Sequence, residues 1–331
     1  MTLVNEFEWL APHWQRLTGH IQSSRVPQAL LIVGRDGVGK ARLAETFAQR
    51  LLCRTPDEYA CGTCPSCRLF AAQTHPDFLH IQPEEPGKAI PVDAIRALIA
   101  NLSLKPQYSG RRVVLIGMAH QLNVSSANSL LKTLEEPDEH TTLVLLTDSP
   151  QSLPATILSR CQRMDIPIPE RPLALAWLAR HGQEGNARIL LALARGAPIK
   201  ALGMANDGII AKRDEFFHAW QSLIEGSGEP ATVAEAWAKF SCETLIDWMT
   251  SWTMDMIRLR AAPHSRAIDN GDLDERLRST AGKLQPRDLF GHLDRLNAAR
   301  KMLTGQINRQ LLLEDALIHW HLRQTLATQR W

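Results

Sequence analysis

Two groups of residues carry types and spacings that could do chemistry. The first is Gly34-Arg-Asp-Gly-Val-Gly39-Lys40, which fits G-x-x-x-x-G-K. Glycines at these places let backbone N–H groups face a phosphate, and the lysine can reach a nucleotide's outer phosphates. A helix opening at Lys40 would add the partial positive charge of its N-terminus. The chemistry on offer is nucleotide binding, with Gly34, Gly39 and Lys40 as binding residues. The bland alternative is a glycine-rich turn with no ligand. The second group is Cys53, Cys61, Cys64 and Cys67, four cysteines within fifteen positions. The last three form C-x2-C-x2-C, and Gly62 and Pro65 favour a tight loop between them. Four thiolates can close a tetrahedral shell around Zn2+, and a shell closed by protein ligands is structural, not catalytic. Structural zinc is therefore expected, with an iron–sulfur cluster or free thiols as alternatives.

The elements that must position these groups are legible in the apolar pattern. Ala29–Val33 precedes the loop and Lys40–Leu52 follows it as an amphipathic stretch, the strand–loop–helix context the motif needs. Further strand candidates are Phe78–Ile81, Arg112–Ile116, Leu143–Thr147 and Met164–Ile168. Each is a continuous apolar or β-branched run, as expected of strands buried on both faces. They alternate with helix-like segments, so the region up to residue 166 reads as α/β with a parallel sheet and crossover helices. The cysteines at 53–67 form a small knuckle inserted after the loop's helix. Pro167 and Pro169 break this pattern. Arg171–His181 and Asn186–Arg195 then read as short helices and Gly203–Gly208 as a linker. The rest, to Trp331, is helix-patterned, with loops near Gly226–Pro230, Pro263–Gly271 and Gln285–Pro286.

A chain of 331 residues suits two or three domains, and an apolar fraction of 44% can give each a core. Its 37 basic and 35 acidic residues leave a formal charge of +2. The chain as a whole has no electrostatic footprint for nucleic acid, so any DNA contact is local or shared with other subunits. The start, Met1-Thr-Leu-Val-Asn-Glu-Phe-Glu, has no basic region followed by an apolar one. Apolar runs such as Ala29–Val33 and Val113–Ile116 fall far short of the ~20 residues that span a bilayer. A cytoplasmic location is expected, where thiols stay reduced and clustered cysteines suggest metal. Cys161 and Cys242 stand apart and read as ordinary buried thiols.

Hydrolysis needs more than the loop. Position 41 is Ala, where a Ser or Thr hydroxyl would hold Mg2+. The strand Arg112–Ile116 runs into Gly117 and Met118, where such proteins carry Asp for the metal and Glu for the attacking water. Mg2+ demands oxygen ligands, and phosphoryl transfer depends on positioning and charge neutralisation. The residues argue against hydrolysis and weigh against ATP binding, although Gly39 and Lys40 are intact.

Further stretches carry a resemblance. Ala119-His-Gln-Leu-Asn123 leads into Asn128-Ser-Leu-Leu-Lys-Thr-Leu-Glu-Glu-Pro137, Thr147 ends a strand, and Pro154-Ala-Thr-Ile-Leu-Ser-Arg-Cys161 follows. With the four cysteines, these resemble the AAA+ module of bacterial DNA polymerase III clamp loaders, and Asn308–Leu317 resembles the last helix of their collar. The resemblance implies an α/β P-loop AAA+ domain over 1–166, a small helical lid over 167–207 and an all-helical collar or oligomerisation domain over 208–331. Motor subunits (gamma and tau) keep the loop hydroxyl, the Asp-Glu pair and a second sensor arginine, which Ile199 replaces here. The chain therefore resembles a non-motor subunit. Arg160 is then expected to reach the ATP of a neighbouring motor subunit. The implied partners are gamma or tau, a delta subunit, and, through the complex, the sliding clamp and primed DNA.

Two other readings are an active motor ATPase and a zinc-containing DNA-binding protein. Ala41, Gly117 and Met118 weigh against the first, and the near-zero charge against the second. Trp220, Trp237, Trp248 and Trp252 fall in helical segments and read as core or subunit contacts. Arg111-Arg112 reads as a solvated strand start. Lys132 reads equally as a surface salt bridge or as a residue facing a DNA channel.

Overall fold

The computed structural model describes residues 3–85, 87–108, 110–265, 268–303 and 308–328, with side chains as far as Ile318. Met1, Arg266, Ala267 and Trp331, which enter the sequence reading, lie outside the described residues. The chain divides into two compact units. One comprises Met1–Gly182 with Gly196–Ala201, the other Gln183–Arg195 with Leu202–Trp331.

The first unit is built on strands β1 (Ala29–Val33), β2 (Phe78–Ile81), β3 (Arg112–Ile116), β4 (Thr141–Thr147) and β5 (Gln162–Asp165). Its helices are α1 (Leu3–Glu6), α2 (Ala11–Gln22), α3 (Lys40–Leu52), α4 (Pro65–Ala71), α5 (Val92–Leu102), α6 (Val124–Glu135), α7 (Ala155–Leu158) and α8 (Arg171–Arg180). All strand pairs are parallel, in the order β2-β3-β4-β1-β5, the AAA+ arrangement. The register sets Leu31 beside Leu145 on one side and Arg163 on the other. β1, β3 and β4 are buried along their whole length, as interior strands covered by helices must be.

The edges depart from that expectation. β2 has no buried residue and β5 has one, Met164, because each pairs on one side only. The last strand is Gln162–Asp165, not Met164–Ile168. The Ile166 N–H still reaches the Val33 carbonyl at 2.7 Å, but Pro167 has no N–H to continue the ladder. The core between sheet and helices collects Leu31, Val114, Ile116, Leu130, Leu143, Leu145 and Ile157. Sheet and helices together hold three strand ends side by side, those of β1, β3 and β4.

The second unit is helical among the described residues. It contains α9 (Ala187–Leu193), the later part of α10 (Pro198–Asn206), α11 (Ile209–Ile224), α12 (Pro230–Trp237), α13 (Cys242–Ala261), α14 (Asp274–Lys283), α15 (Pro286–Met302) and α16 (Arg309–Thr328). Gly203 lies inside α10 and is not a linker. The break falls instead at Gly208, whose φ of 67° places it in the left-handed region. Trp220, Trp237, Trp248 and Trp252 are all buried, with Trp252 edge-on to Phe217 at 5.0 Å. Among the described residues, no helix is long and apolar enough to cross a membrane.

Candidate functional site

The phosphate loop leaves the end of β1 and enters α3, as the motif requires. Gly37 (φ 82°) and Gly39 (φ 100°) adopt left-handed backbone, which glycine does at no steric cost. Two of the loop's donors are taken up within the chain. The Gly34 N–H donates to the Thr147 carbonyl at 3.1 Å, and the Lys40 ammonium donates to the Arg35 carbonyl at 2.7 Å. Burial holds Lys40 below its ordinary pKa, against the opposing pull of Asp148 and Asp36.

Other segments also sit directly on the loop. The Ile199 N–H donates to the Gly37 carbonyl at 3.0 Å, and Lys200 pairs with Asp36 at 3.4 Å. A Cβ on Gly37 would fall 2.4 Å from Lys200 Cβ, and one on Gly39 would fall 2.9 Å from Leu10 Cδ1 and 3.4 Å from Ile199 Cδ1. The Trp9 indole N–H donates to the Val38 carbonyl at 2.8 Å. Sequence reading missed Leu10, Trp9 and Lys200, since nothing in their spacing links them to residues 34–40. Ile199 was visible only as a missing arginine.

The neighbouring strand ends bring Gly117, Met118 and Thr147 together. Gly117 is buried, and its N–H donates to the Ile81 carbonyl at 2.8 Å. Met118 is exposed and has a φ of 50°, rare for a residue with a side chain. The Thr147 hydroxyl, at the end of β4, lies 3.3 Å from His120 Nδ1 and accepts the Ser149 N–H. His120 also meets Asp148 at 3.2 Å. Neither Ala41, Gly117 nor Met118 offers an oxygen ligand or a base from its side chain.

The four cysteines converge where α3 ends and α4 begins. Their sulfur atoms all lie within 4.8 Å of one another. Cys53 and Cys64 are 3.9 Å apart, and Cys61 and Cys67 4.0 Å. A tetrahedron of sulfurs at the ordinary Zn–S length has edges of about 3.8 Å, so the donor set fits zinc. Backbone N–H groups already point at the sulfurs: Cys61 at Cys53, Cys64 at Cys61, and Cys67 at Cys64, at 3.3, 3.3 and 3.5 Å. Hydrogen bonds from Thr55, Cys64 and Thr63 lower Cys61 to about 5, favouring the thiolate a metal needs. Burial pushes Cys67 the other way. Behind the cluster, the Ser66 hydroxyl donates to the Leu52 carbonyl at 2.6 Å and meets His75 Nε2 at 2.9 Å. His75 Nδ1 accepts the Asp77 N–H at 3.1 Å. Ser66, His75 and Asp77 are all buried, and the carboxylate of Asp77 takes the N–H groups of Gln107 and Tyr108. Cys161 and Cys242 are buried and lie outside the cluster.

Arg160 stands just past α7, which opens after Pro154. Its side chain is one-third exposed and pairs with Glu135, the last residue of α6. Lys132, one turn earlier on α6, is exposed. Arg112 corrects an expectation. It is 2% exposed, and its guanidinium donates to the carbonyls of Asn101, Leu104 and Lys105 at the end of α5. A cation there complements the negative end of the helix dipole, which explains why an arginine opens a buried strand.

The family model for the delta subunit of DNA polymerase III matches residues 10–170, and that for the C-terminal part of this subunit matches residues 208–321. The chain is 34% identical to DNA polymerase III subunit delta' of Pseudomonas aeruginosa over 324 residues, covering 96% of this chain and 98% of that protein. It is 30% identical to the Haemophilus influenzae subunit delta' over 315 residues, covering 94% and 95%. It is also 29% identical to DNA polymerase III subunit tau of Escherichia coli, covering 91% of this chain and 51% of tau. A cysteine knuckle, an AAA+ sheet and relatives aligned end to end agree, and the chain belongs to the DNA polymerase III subunit delta' family.

Proposed function

We propose that this chain is the non-hydrolysing subunit of a cytoplasmic clamp loader and places Arg160 at the ATP of a neighbouring motor subunit. The observation that carries this reading is a contrast within one domain. The chain's own phosphate loop is packed under Leu10 and Ile199, while Arg160 stands on an exposed turn. In a neighbour's site the guanidinium would donate to γ-phosphate oxygens as charge develops on them, stabilising transfer of the phosphoryl group to water. The chain's own loop then neither binds nor hydrolyses ATP. Cys53, Cys61, Cys64 and Cys67 hold a structural zinc ion, supported by their convergence. The segment 1–166 acts as the AAA+ domain, 167–207 as its lid, and 208–331 as the collar through which gamma or tau and delta subunits assemble. The assembled complex would load the sliding clamp onto primed DNA.

The test is DNA-stimulated ATPase of loaders reconstituted with wild-type, Arg160→Ala or Arg160→Lys chain at matched assembly. An arginine finger contributes ~10³–10⁵ at the site it serves, and less to a complex with several sites. Both variants should lower the rate, because an ammonium lacks the planar fork of donors. Unchanged rates in both would leave Arg160 a surface residue. ATPase from the pure chain that disappears in Lys40→Ala would refute the claim about its own loop.

A further inference from the structure

We propose that Glu135 is the positioning residue for Arg160, an inference that rests on the trans-acting role given to Arg160 above. Two guanidinium nitrogens of Arg160 reach one carboxylate oxygen of Glu135, Nε at 2.8 Å and Nη2 at 2.5 Å. The third, Nη1, donates to the Thr156 carbonyl at 2.9 Å and lies 3.3 Å from the Ser159 hydroxyl. The side edge of the fork is therefore taken by Glu135, and its base is tied to the turn of α7. A second Nη2 hydrogen remains, together with the Nη1 hydrogen spent only on the long Ser159 contact. These are the donors an acceptor outside the chain would meet. Glu135 closes α6 and Arg160 follows α7, and the two helices pack together, so the pair joins two rigid elements.

An arginine left alone on a surface samples many rotamers. Releasing it fully would dilute the working orientation by up to about thirtyfold. Thr156 and Ser159 would retain part of that order. The pair itself is half-exposed on the carboxylate side, and such pairs add little to folding. Removing Glu135 should therefore change where the guanidinium points without changing whether the chain folds or assembles.

The experiment uses loaders reconstituted from motor subunits, delta subunit and this chain, turning over ATP on primed DNA. Four chains are compared at matched assembly: wild type, Glu135→Ala, Arg160→Ala and the double variant. Glu135→Ala should lower the Arg160-dependent kcat about threefold to tenfold with KM for ATP unchanged, since the arginine acts in the transition state. The double variant should be no slower than Arg160→Ala, and Glu135→Gln should recover part of the rate through its carbonyl oxygen. In the free chain, the Arg160 Nε–H resonance should be observable in wild type and exchange-broadened in Glu135→Ala. If Arg160→Ala slows the loader and Glu135→Ala does not, the positioning role is wrong and the finger stands. A faster loader with Glu135→Ala would make Glu135 a lock and overturn the proposal. If Arg160→Ala changes nothing, both readings fall.

Discussion

Gly37→Ala probes the contact between the phosphate loop and residues 196–201. The new methyl group would meet Lys200 Cβ at 2.4 Å and Lys200 N at 2.6 Å. One of these is backbone, so no rotamer change relieves the clash. The native φ of 82° adds about 1–2 kcal/mol for an L-residue in the left-handed region. Overpacking of this kind costs about 1–3 kcal/mol. The two together come to roughly 2–5 kcal/mol if the segment stays in place. The chain can escape the clash by letting Gly196–Ala201 lift off. That forfeits the Ile199 N–H bond to the Gly37 carbonyl, worth about 0.5–1.5 kcal/mol, and the Ile199 packing on Gly39. The φ strain persists either way, so lifting relieves only the overpacking of about 1–3 kcal/mol, comparable to what it forfeits. The contact is loosened, and amide exchange at Ile199 should report it. We expect exchange there to accelerate about 10- to 100-fold, with the urea midpoint lowered and its slope little changed. Protection of Ile199 equal to wild type would show that the segment does not rest on the loop.

Arg112→Met keeps the aliphatic stem but takes the guanidinium donors from the carbonyls of Leu104 and Lys105, and from that of Asn101, which keeps the Leu104 N–H. It should cost about 2–4 kcal/mol in urea unfolding, and a loss under 1 kcal/mol would contradict the tie to α5. Wild-type chain purified without chelator should contain one zinc by elemental analysis, and Cys64→Ser with Cys67→Ser should contain none and melt lower, because metal binding there is coupled to folding. Iron in place of zinc would refute the assignment. Burial holds His75 below its ordinary 6.5, and its Nδ1 must stay unprotonated to accept the Asp77 N–H. The unfolded chain takes up the proton first, so this contribution is complete above about pH 6.5 and shrinks as pH falls toward the lowered native value. His75→Asn should flatten that acid limb relative to wild type; parallel pH profiles would exclude the role.

Much of the first unit was legible because its signals are local. β1 reads Ala-Leu-Leu-Ile-Val without interruption since helices cover both its faces, and the cysteine spacing already marks the four residues whose sulfurs converge within fifteen positions. Edge strands blurred the pattern, and β5 carries Gln, Arg and Asp around its one buried Met164. Arg112 misled for a different reason. Two arginines before an apolar run look solvated, and no local pattern shows that α5 ends above the second of them. Gly203 reads as a breaker by composition, but helix α10 tolerates it where nothing crowds the site. Leu10, Gly39 and Ile199 lie far apart in sequence and share no periodicity, so their meeting is a product of tertiary packing alone.

That meeting also bears on what keeps the phosphate-loop glycines in place. Lys200 leaves no room for a side chain at position 37, and the φ of 100° disfavours one at position 39, so close packing and backbone geometry alone favour both glycines. Lys40 gains its own local acceptor in the Arg35 carbonyl. Under the reading proposed above, a G-x-x-x-x-G-K string in such a chain can persist for its packing, with no nucleotide to maintain it. Ala41→Ser, Gly117→Asp and Met118→Glu would return a metal hydroxyl, a metal carboxylate and a base, yet Leu10 and Ile199 would still sit where the loop meets its surroundings. Under the proposed reading, turnover in such a variant would also require moving these two distant segments off the loop.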